Sequence, residues 1–126
     1  MSGRSPWRRK QYRQDGEKLS DVELLKAARD SAYRLLARRE HAASELQQKL
    51  RLRDFTEEVC AQLLAELVED GLQSDERYAE SRCRQRISQG YGPMRLRAEL
   101  REKRISDEVI SAQLDGVDEA LWQKYA

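Results

Sequence analysis

The sequence is poor in the residues that build metal sites and disulfides. Its 126 residues include one histidine, His41, and two cysteines, Cys60 and Cys83. The cysteines lack metal-ligand spacing and one histidine adds too little for a zinc site, so we predict no metal site. The apolar runs are short, and none follows the basic N-terminus. We therefore expect neither a transmembrane helix nor a secretory signal, and hence a cytoplasmic protein.

The residues needed for catalysis are also absent. No cysteine lies close to the histidine in sequence, so no nucleophile–base pair is indicated. The segment Gly90-Tyr91-Gly92-Pro93 lacks the lysine of a phosphate-binding loop. The carboxylate runs lie at predicted helix starts, where the helix dipole already accounts for them. We therefore predict a protein that is not an enzyme and binds no cofactor.

Helix-forming residues dominate the rest of the composition, and only two prolines interrupt them. Caps and apolar periodicity predict helices from Ser20 to about Arg39, Ala43 to Arg53, Thr56 to Gly71, Ser74 to about Ser88, Pro93 to Arg104 and Ser106 to Gly116. The apolar stripes assign Val22, Tyr33, Val68 and Tyr78 to the core. No segment has a strand pattern, so the predicted fold class is all-α.

An internal repeat appears when the chain is shifted by 50 residues. Residues 45–51 then fall on 95–101, and residues 55–60 fall on 105–110. The matches are core leucines, a helix cap and first-turn acids, without a gap. Cys60 takes the place of Ile110, which indicates a small core residue rather than a reactive thiol.

The repeat divides the chain into tandem three-helix units. We predict a basic flexible tail at 1–19, repeat 1 at 20–72, repeat 2 at 73–116 and the start of a truncated third repeat at 117–126. Such units are expected to form an elongated, curved array. In the last segment, Trp122 and Tyr125 would be core residues of the third repeat, left exposed without it.

Positive and negative charges alternate in blocks along the chain. The net charge is +1, and 18 of the 24 basic residues are arginines. Residues 54–80 carry nine acidic side chains and one basic one, whereas residues 82–104 carry eight basic and two acidic ones. Arginine suits bidentate contacts to phosphate or carboxylate groups, so the basic blocks are the candidate binding regions.

Three ordered motifs resemble the RecX family of bacterial recombination regulators. They are Arg39-Glu40-His41 with Glu45-Leu46 and Lys49-Leu50; Glu69-Asp70-Gly71-Leu72 with Asp75 to Ala79; and Gly90 to Pro93 with Arg95-Leu96, Glu99-Leu100, Lys103 and Ile105. The resemblance implies tandem three-helix repeats. It also implies binding to the RecA recombinase filament on single-stranded DNA, with inhibition of its ATPase, strand-exchange and co-protease activities in DNA repair and SOS control.

The sequence departs from the family pattern at several positions. Ala42 stands where serine usually follows the histidine, which removes a cap from the second helix. Asp54 and Arg104 stand where glycine often ends the short helix, and aspartate tolerates a left-handed backbone better than arginine does. The family has a third repeat, and this chain stops inside it.

Two groups of basic residues are candidates for partner or DNA binding. Arg97, Arg101 and Arg104 form one row on a helical wheel, and Arg82 and Arg86 form an i, i+4 pair on the preceding helix. We expect the two sets to merge into one basic face with solvent-facing guanidinium groups. The alternative is that they pair with the acidic 54–80 block.

The tail would add non-specific attraction to DNA through Arg8, Arg9, Lys10 and Arg13. Tyr91 is expected to cover the core of its repeat rather than to stack on a base. Two other functions stay open from sequence: a stand-alone helical DNA-binding protein, with weak direct DNA binding, and a generic helical interaction scaffold.

Overall fold

The computed structural model describes residues 20–117, and within this range it contains six α-helices and no strand. The helices are α1 (Asp21–Arg38), α2 (Ala43–Leu52), α3 (Glu57–Glu69), α4 (Asp75–Ser88), α5 (Pro93–Glu102) and α6 (Asp107–Asp115). The all-α prediction is confirmed. None of these helices is long and apolar enough to cross a membrane.

Short polar side chains start four of the helices, because their oxygens accept hydrogen bonds from otherwise unpaired backbone N–H groups. Ser20 accepts from the Glu23 N–H group, and Glu23 returns the bond to Ser20, which completes a capping box. Thr56, Ser74 and Ser106 cap α3, α4 and α6 in the same way. Helix α5 instead starts with Pro93, whose fixed φ suits the first helical position.

The described residues divide into two compact units. The first unit comprises residues 20–39 and 45–73, and the second comprises residues 40–44 and 74–117. The sequence division placed 40–44 inside repeat 1, whereas in the structure this short segment groups with the second unit.

Leucines fill the core of the first unit. Leu46, Leu50, Leu63 and Leu67 are fully buried beside Cys60. Burying one such side chain, relative to leaving it exposed to water, contributes about 1.5–3 kcal/mol to the free energy of folding. The core position predicted for Cys60 is confirmed, and burial raises the pKa of its thiol.

The apolar stripes predicted from sequence are wider than the core that they contact. Val22, Tyr33 and Val68 are exposed, at 78%, 41% and 56%, so their assignment to the core is wrong. Successive helical residues are turned by about 100°, so residues at the edges of an apolar stripe point along the rim of the core or to solvent. Val68, for example, directly follows the fully buried Leu67.

The second unit has its own core, in which Tyr78, Leu96, Leu100 and Ile110 are the largest fully buried side chains. The core position predicted for Tyr78 is confirmed. Ala42 also lies in this core and is fully buried.

Hydrogen bonds hold the segment 40–44 within the second unit. The Asp75 carboxylate accepts a 2.9 Å hydrogen bond from the Ala43 N–H group. This carboxylate supplies the cap that Ala42 cannot provide. The Ser44 hydroxyl donates a 2.5 Å hydrogen bond to the Lys103 carbonyl oxygen.

The internal repeat is visible in the backbone as well as in the sequence. Helices α2 and α5 are both ten residues long and are 50 positions apart. In the turns that follow, the Phe55 N–H group donates to Leu50 at 3.2 Å and the Ile105 N–H group donates to Leu100 at 3.1 Å. The tandem three-helix architecture predicted from sequence is confirmed.

Candidate partner-binding surface

The five arginines singled out from sequence all belong to the second unit. Arg82 and Arg86 lie on α4, Arg97 and Arg101 lie on α5, and Arg104 lies in the turn between α5 and α6. They differ in exposure and in ion pairing, so they do not form one uniform basic face.

Arg82 and Arg86 share one carboxylate. Arg86 Nε donates a 2.9 Å hydrogen bond to Glu99 Oε1, and Arg82 Nε lies 3.5 Å from Glu99 Oε2. The side chains of Arg82, Arg86 and Glu99 are only 15%, 25% and 17% exposed. The expectation that the first two guanidinium groups face solvent is therefore wrong, because Glu99 on α5 approaches α4 and engages both.

The partners of these arginines are not the ones considered from sequence. Glu99 lies outside the acidic 54–80 block, and so does Asp107, which accepts a 3.3 Å hydrogen bond from Arg101 Nε. The Arg101–Asp107 pair is 59% and 76% exposed, so it holds Arg101 only weakly. Arg101 is therefore accessible to a partner.

Of the five arginines, Arg97 and Arg104 are accessible and form no ion pair with any of residues 20–117. Arg97 is half-buried on α5, and Arg104 is exposed. Their positions in the first unit, 50 residues earlier, are occupied by Gln47 and Asp54. The second unit thus has two positive charges where the first has one negative charge.

Arg104 has an unfavourable backbone conformation for its residue type. Its φ is +60°, in the left-handed region, and Asp54 has a φ of +68° at the matching turn. Aspartate enters this region readily, whereas a longer side chain such as arginine pays about 1 kcal/mol or more.

Sequence reasoning missed a further arginine. The Arg95 guanidinium carbon lies 3.7 Å from the centroid of the Tyr91 ring, and the Arg86 carbon lies 5.0 Å from it. These are cation–π distances. The i, i+4 spacing of Tyr91 and Arg95, across the start of α5, was the signal that could have found this contact.

The thiol in this unit is protected. Cys83 is buried on α4, and burial together with the nearby Glu99 carboxylate raises its pKa to about 11. A thiol with such a pKa is protonated and weakly nucleophilic at neutral pH. Among the described residues, no group of three or more histidine, cysteine, aspartate or glutamate side chains could hold a metal ion.

Two groups of sequence predictions lie outside the described residues. They are the tail contacts at Arg8, Arg9, Lys10 and Arg13, and the start of a third repeat with Trp122 and Tyr125.

Two family models match the chain at its two units. The model described as RecX, first three-helix domain, matches residues 28–67, and the model described as RecX, second three-helix domain, matches residues 74–114. The chain belongs to the RecX family. The resemblance stated from sequence motifs is thereby confirmed.

Curated RecX relatives are similar over most of the chain. The regulatory protein RecX of Chromohalobacter salexigens is 47% identical over 70% of this chain, and that of Legionella pneumophila is 42% identical over 77%. The chain spans 58% and 64% of the length of these two proteins. Both relatives are named as regulatory proteins.

Solved RecX structures share the fold. A crystal structure of regulatory protein RecX matches with a TM-score of 0.77 and 24% sequence identity. The match covers 83% of this chain and 52% of the chain in that structure. The crystal structure of RecX from Lactobacillus salivarius matches with a TM-score of 0.76 and 23% sequence identity. The match covers 82% of this chain and 68% of the chain in that structure.

Proposed function

We propose that this chain is an inhibitor of the RecA recombinase that binds the RecA filament on single-stranded DNA. It modulates the ATPase, strand-exchange and co-protease activities of the filament, and thereby acts in DNA repair and SOS control in the cytoplasm. In this role it needs neither a cofactor nor a catalytic residue, because binding itself blocks the filament.

The charge difference between the two units carries this proposal. Arg97 and Arg104 have no ion pair among the described residues, and their counterparts Gln47 and Asp54 are not positive. The two units share one backbone arrangement, but only the second has these unpaired arginines. Its surface is therefore suited to phosphates or protein carboxylates. A filament of RecA on DNA presents both.

We expect binding to inhibit the filament by physical obstruction rather than by a chemical reaction. Contacts from the second unit to DNA phosphates or to RecA carboxylates would tie neighbouring protomers together and obstruct access of a second DNA. The net charge of +1 argues against tight binding to DNA alone, so the filament is the better target than free DNA.

A titration of the chain into a RecA ATPase assay on single-stranded DNA tests the proposal. We expect the rate of ATP hydrolysis to fall as the chain is added. A version extended through a third repeat should be assayed in parallel, because the chain spans only part of the length of its relatives. If neither version lowers the rate, the proposal is wrong, and a stand-alone DNA-binding protein or a generic scaffold becomes the better reading.

Charge reversal assigns the effect to the second unit. We expect Arg97→Glu with Arg104→Glu to weaken inhibition, and each lost phosphate contact to reduce the log–log salt slope by about 0.7–0.9. The matched control is Arg34→Glu with Arg38→Glu, which makes the same charge change at exposed positions on α1. Unchanged helicity by circular dichroism must accompany both variants.

A further inference from the structure

The loop between α4 and α5 holds an aromatic ring in a defined place. Tyr91 stands between Gly90, whose φ is +92°, and Gly92. Its N–H group donates a 3.0 Å hydrogen bond to the Arg86 carbonyl oxygen at the end of α4. The ring is half-buried, so one part packs on the unit and another remains accessible.

Arg95 covers this ring. The 3.7 Å distance from its guanidinium carbon to the ring centroid is a stacking contact, and the Arg95 residue is exposed. Since one side of the planar guanidinium group lies on tyrosine, its other side is the one available to a ligand.

The carboxylate that could pair with Arg95 along the same helix already binds other arginines. Glu99 lies four residues later on α5, where a helical ion pair with Arg95 could form. Its carboxylate instead engages Arg82 and Arg86, and Arg95 has no ion pair among residues 20–117. Arg86 contacts both the Glu99 carboxylate and the Tyr91 ring on which Arg95 lies, so Arg82, Arg86, Arg95 and Glu99 form one cluster with a formal surplus of two positive charges.

An exposed guanidinium plane backed by an aromatic ring fits an unpaired nucleobase. Bases of single strands stack on aromatic rings and on arginine planes, and the positive surplus attracts the adjoining phosphates. A paired base in a duplex offers no free face to such a platform. The cluster therefore suits single-stranded DNA better than double-stranded DNA.

We propose that Tyr91 and Arg95 form a stacking site for one unpaired base of single-stranded DNA. The ring positions the guanidinium group, the guanidinium group stacks on the base, and the surplus charge of the cluster draws in the backbone. This inference rests on the proposed function, since the filament supplies the single strand.

Two fluorescently labelled oligonucleotides of equal length test the site, one of thymidines and one of abasic residues with the same number of phosphates. We expect the chain to bind the thymidine strand about fivefold or more tightly than the abasic strand in fluorescence anisotropy at low salt. Arg95→Lys keeps the charge but not the plane, so it should lose this preference while its affinity for the abasic strand stays the same.

Two further variants complete the experiment. Tyr91→Leu removes the ring behind the guanidinium group and should also abolish the preference. Arg84→Lys changes an arginine of α4 that is exposed and paired with Glu80, and it should behave as the unaltered chain does. Circular dichroism should show the same helicity for all three variants.

The stacking site is wrong if the unaltered chain binds both strands equally or binds neither, or if Arg95→Lys keeps the preference for thymidine. The ATPase titration separates this failure from that of the proposed function. Inhibition without a base preference would overturn the stacking site alone. A base preference without inhibition would overturn the role as a RecA inhibitor and leave the stacking site standing.

Discussion

The turns after α2 and α5 have nearly the same backbone, but the residues at their left-handed positions have opposite charge. Asp54 and Arg104 have φ values of +68° and +60°. Each of them donates its N–H group to the carbonyl oxygen three residues earlier, and the residue after each donates to the carbonyl oxygen five residues earlier. The leucines before the turns are equally buried, since Leu50 and Leu100 are both fully covered. Core and turn therefore fix the geometry of the repeat, and the exposed positions are free to carry different chemistry in each copy.

The two units also differ in where their ion pairs form. In the second unit, Glu99 engages two arginines from the neighbouring helix. The matching position of the first unit is Lys49, whose charge is opposite. The first unit forms its bidentate ion pairs elsewhere, between Arg29 and Glu66 and between Arg39 and Glu45. The shared helices thus do not dictate where the ion pairs form.

The largest expected effect probes what the units share. Leu50→Ala and Leu100→Ala should each lower the free energy of unfolding by about 2–5 kcal/mol, because each leaves a cavity in a closed core. Urea unfolding followed by circular dichroism measures both. The control is Leu52→Ala, since Leu52 is 69% exposed and should cost about 0.5 kcal/mol or less. A loss under about 1 kcal/mol at only one of the two core positions would break the equivalence of the units.

A smaller effect probes the carboxylate that only the second unit has. Glu99→Gln should lower stability by about 1–3 kcal/mol, because it leaves two largely covered guanidinium groups without their counter-charge. Glu102→Gln, at an exposed position on the same helix, is the matched control and should change little. Equal melting temperatures for the two variants would show that the Glu99 pairs contribute nothing.

The smallest effect concerns the two turns. Arg104→Gly should raise stability by about 0.5–1 kcal/mol, because glycine enters the left-handed region without steric cost. Asp54→Gly should gain less, since aspartate already tolerates that conformation. Thermal melts of both variants check the order. A larger gain at position 54 than at position 104 would mean that residue type does not set the cost of these turns.

Sequence alone predicted the parts of the fold that depend on local order. Ser20, Thr56, Ser74 and Ser106 cap helices because the N–H groups that they accept from lie three residues away. The repeat was visible because its leucines and caps recur at a fixed interval.

The parts that sequence missed depend on contacts between elements. The Asp75 carboxylate accepts from the Ala43 N–H group across 32 positions, and no local pattern announces such a cap. A helical wheel places Arg82 and Arg86 relative to their own helix, but it does not show that Glu99 approaches them from α5. Sequence reasoning therefore assigned too many arginines to solvent, and it left out the contact of Arg95 with Tyr91.

We propose that the charges of the second unit, and not the shared backbone, would carry an inhibition of RecA. The most direct test exchanges these charges between the units, with Gln47→Arg and Asp54→Arg combined with Arg97→Gln and Arg104→Asp. This variant keeps the composition and net charge of the chain, and it keeps one aspartate and one arginine at the two left-handed positions. Its inhibition of the RecA ATPase on single-stranded DNA should be largely lost, with helicity and melting temperature unchanged. Inhibition equal to that of the unaltered chain would contradict the account.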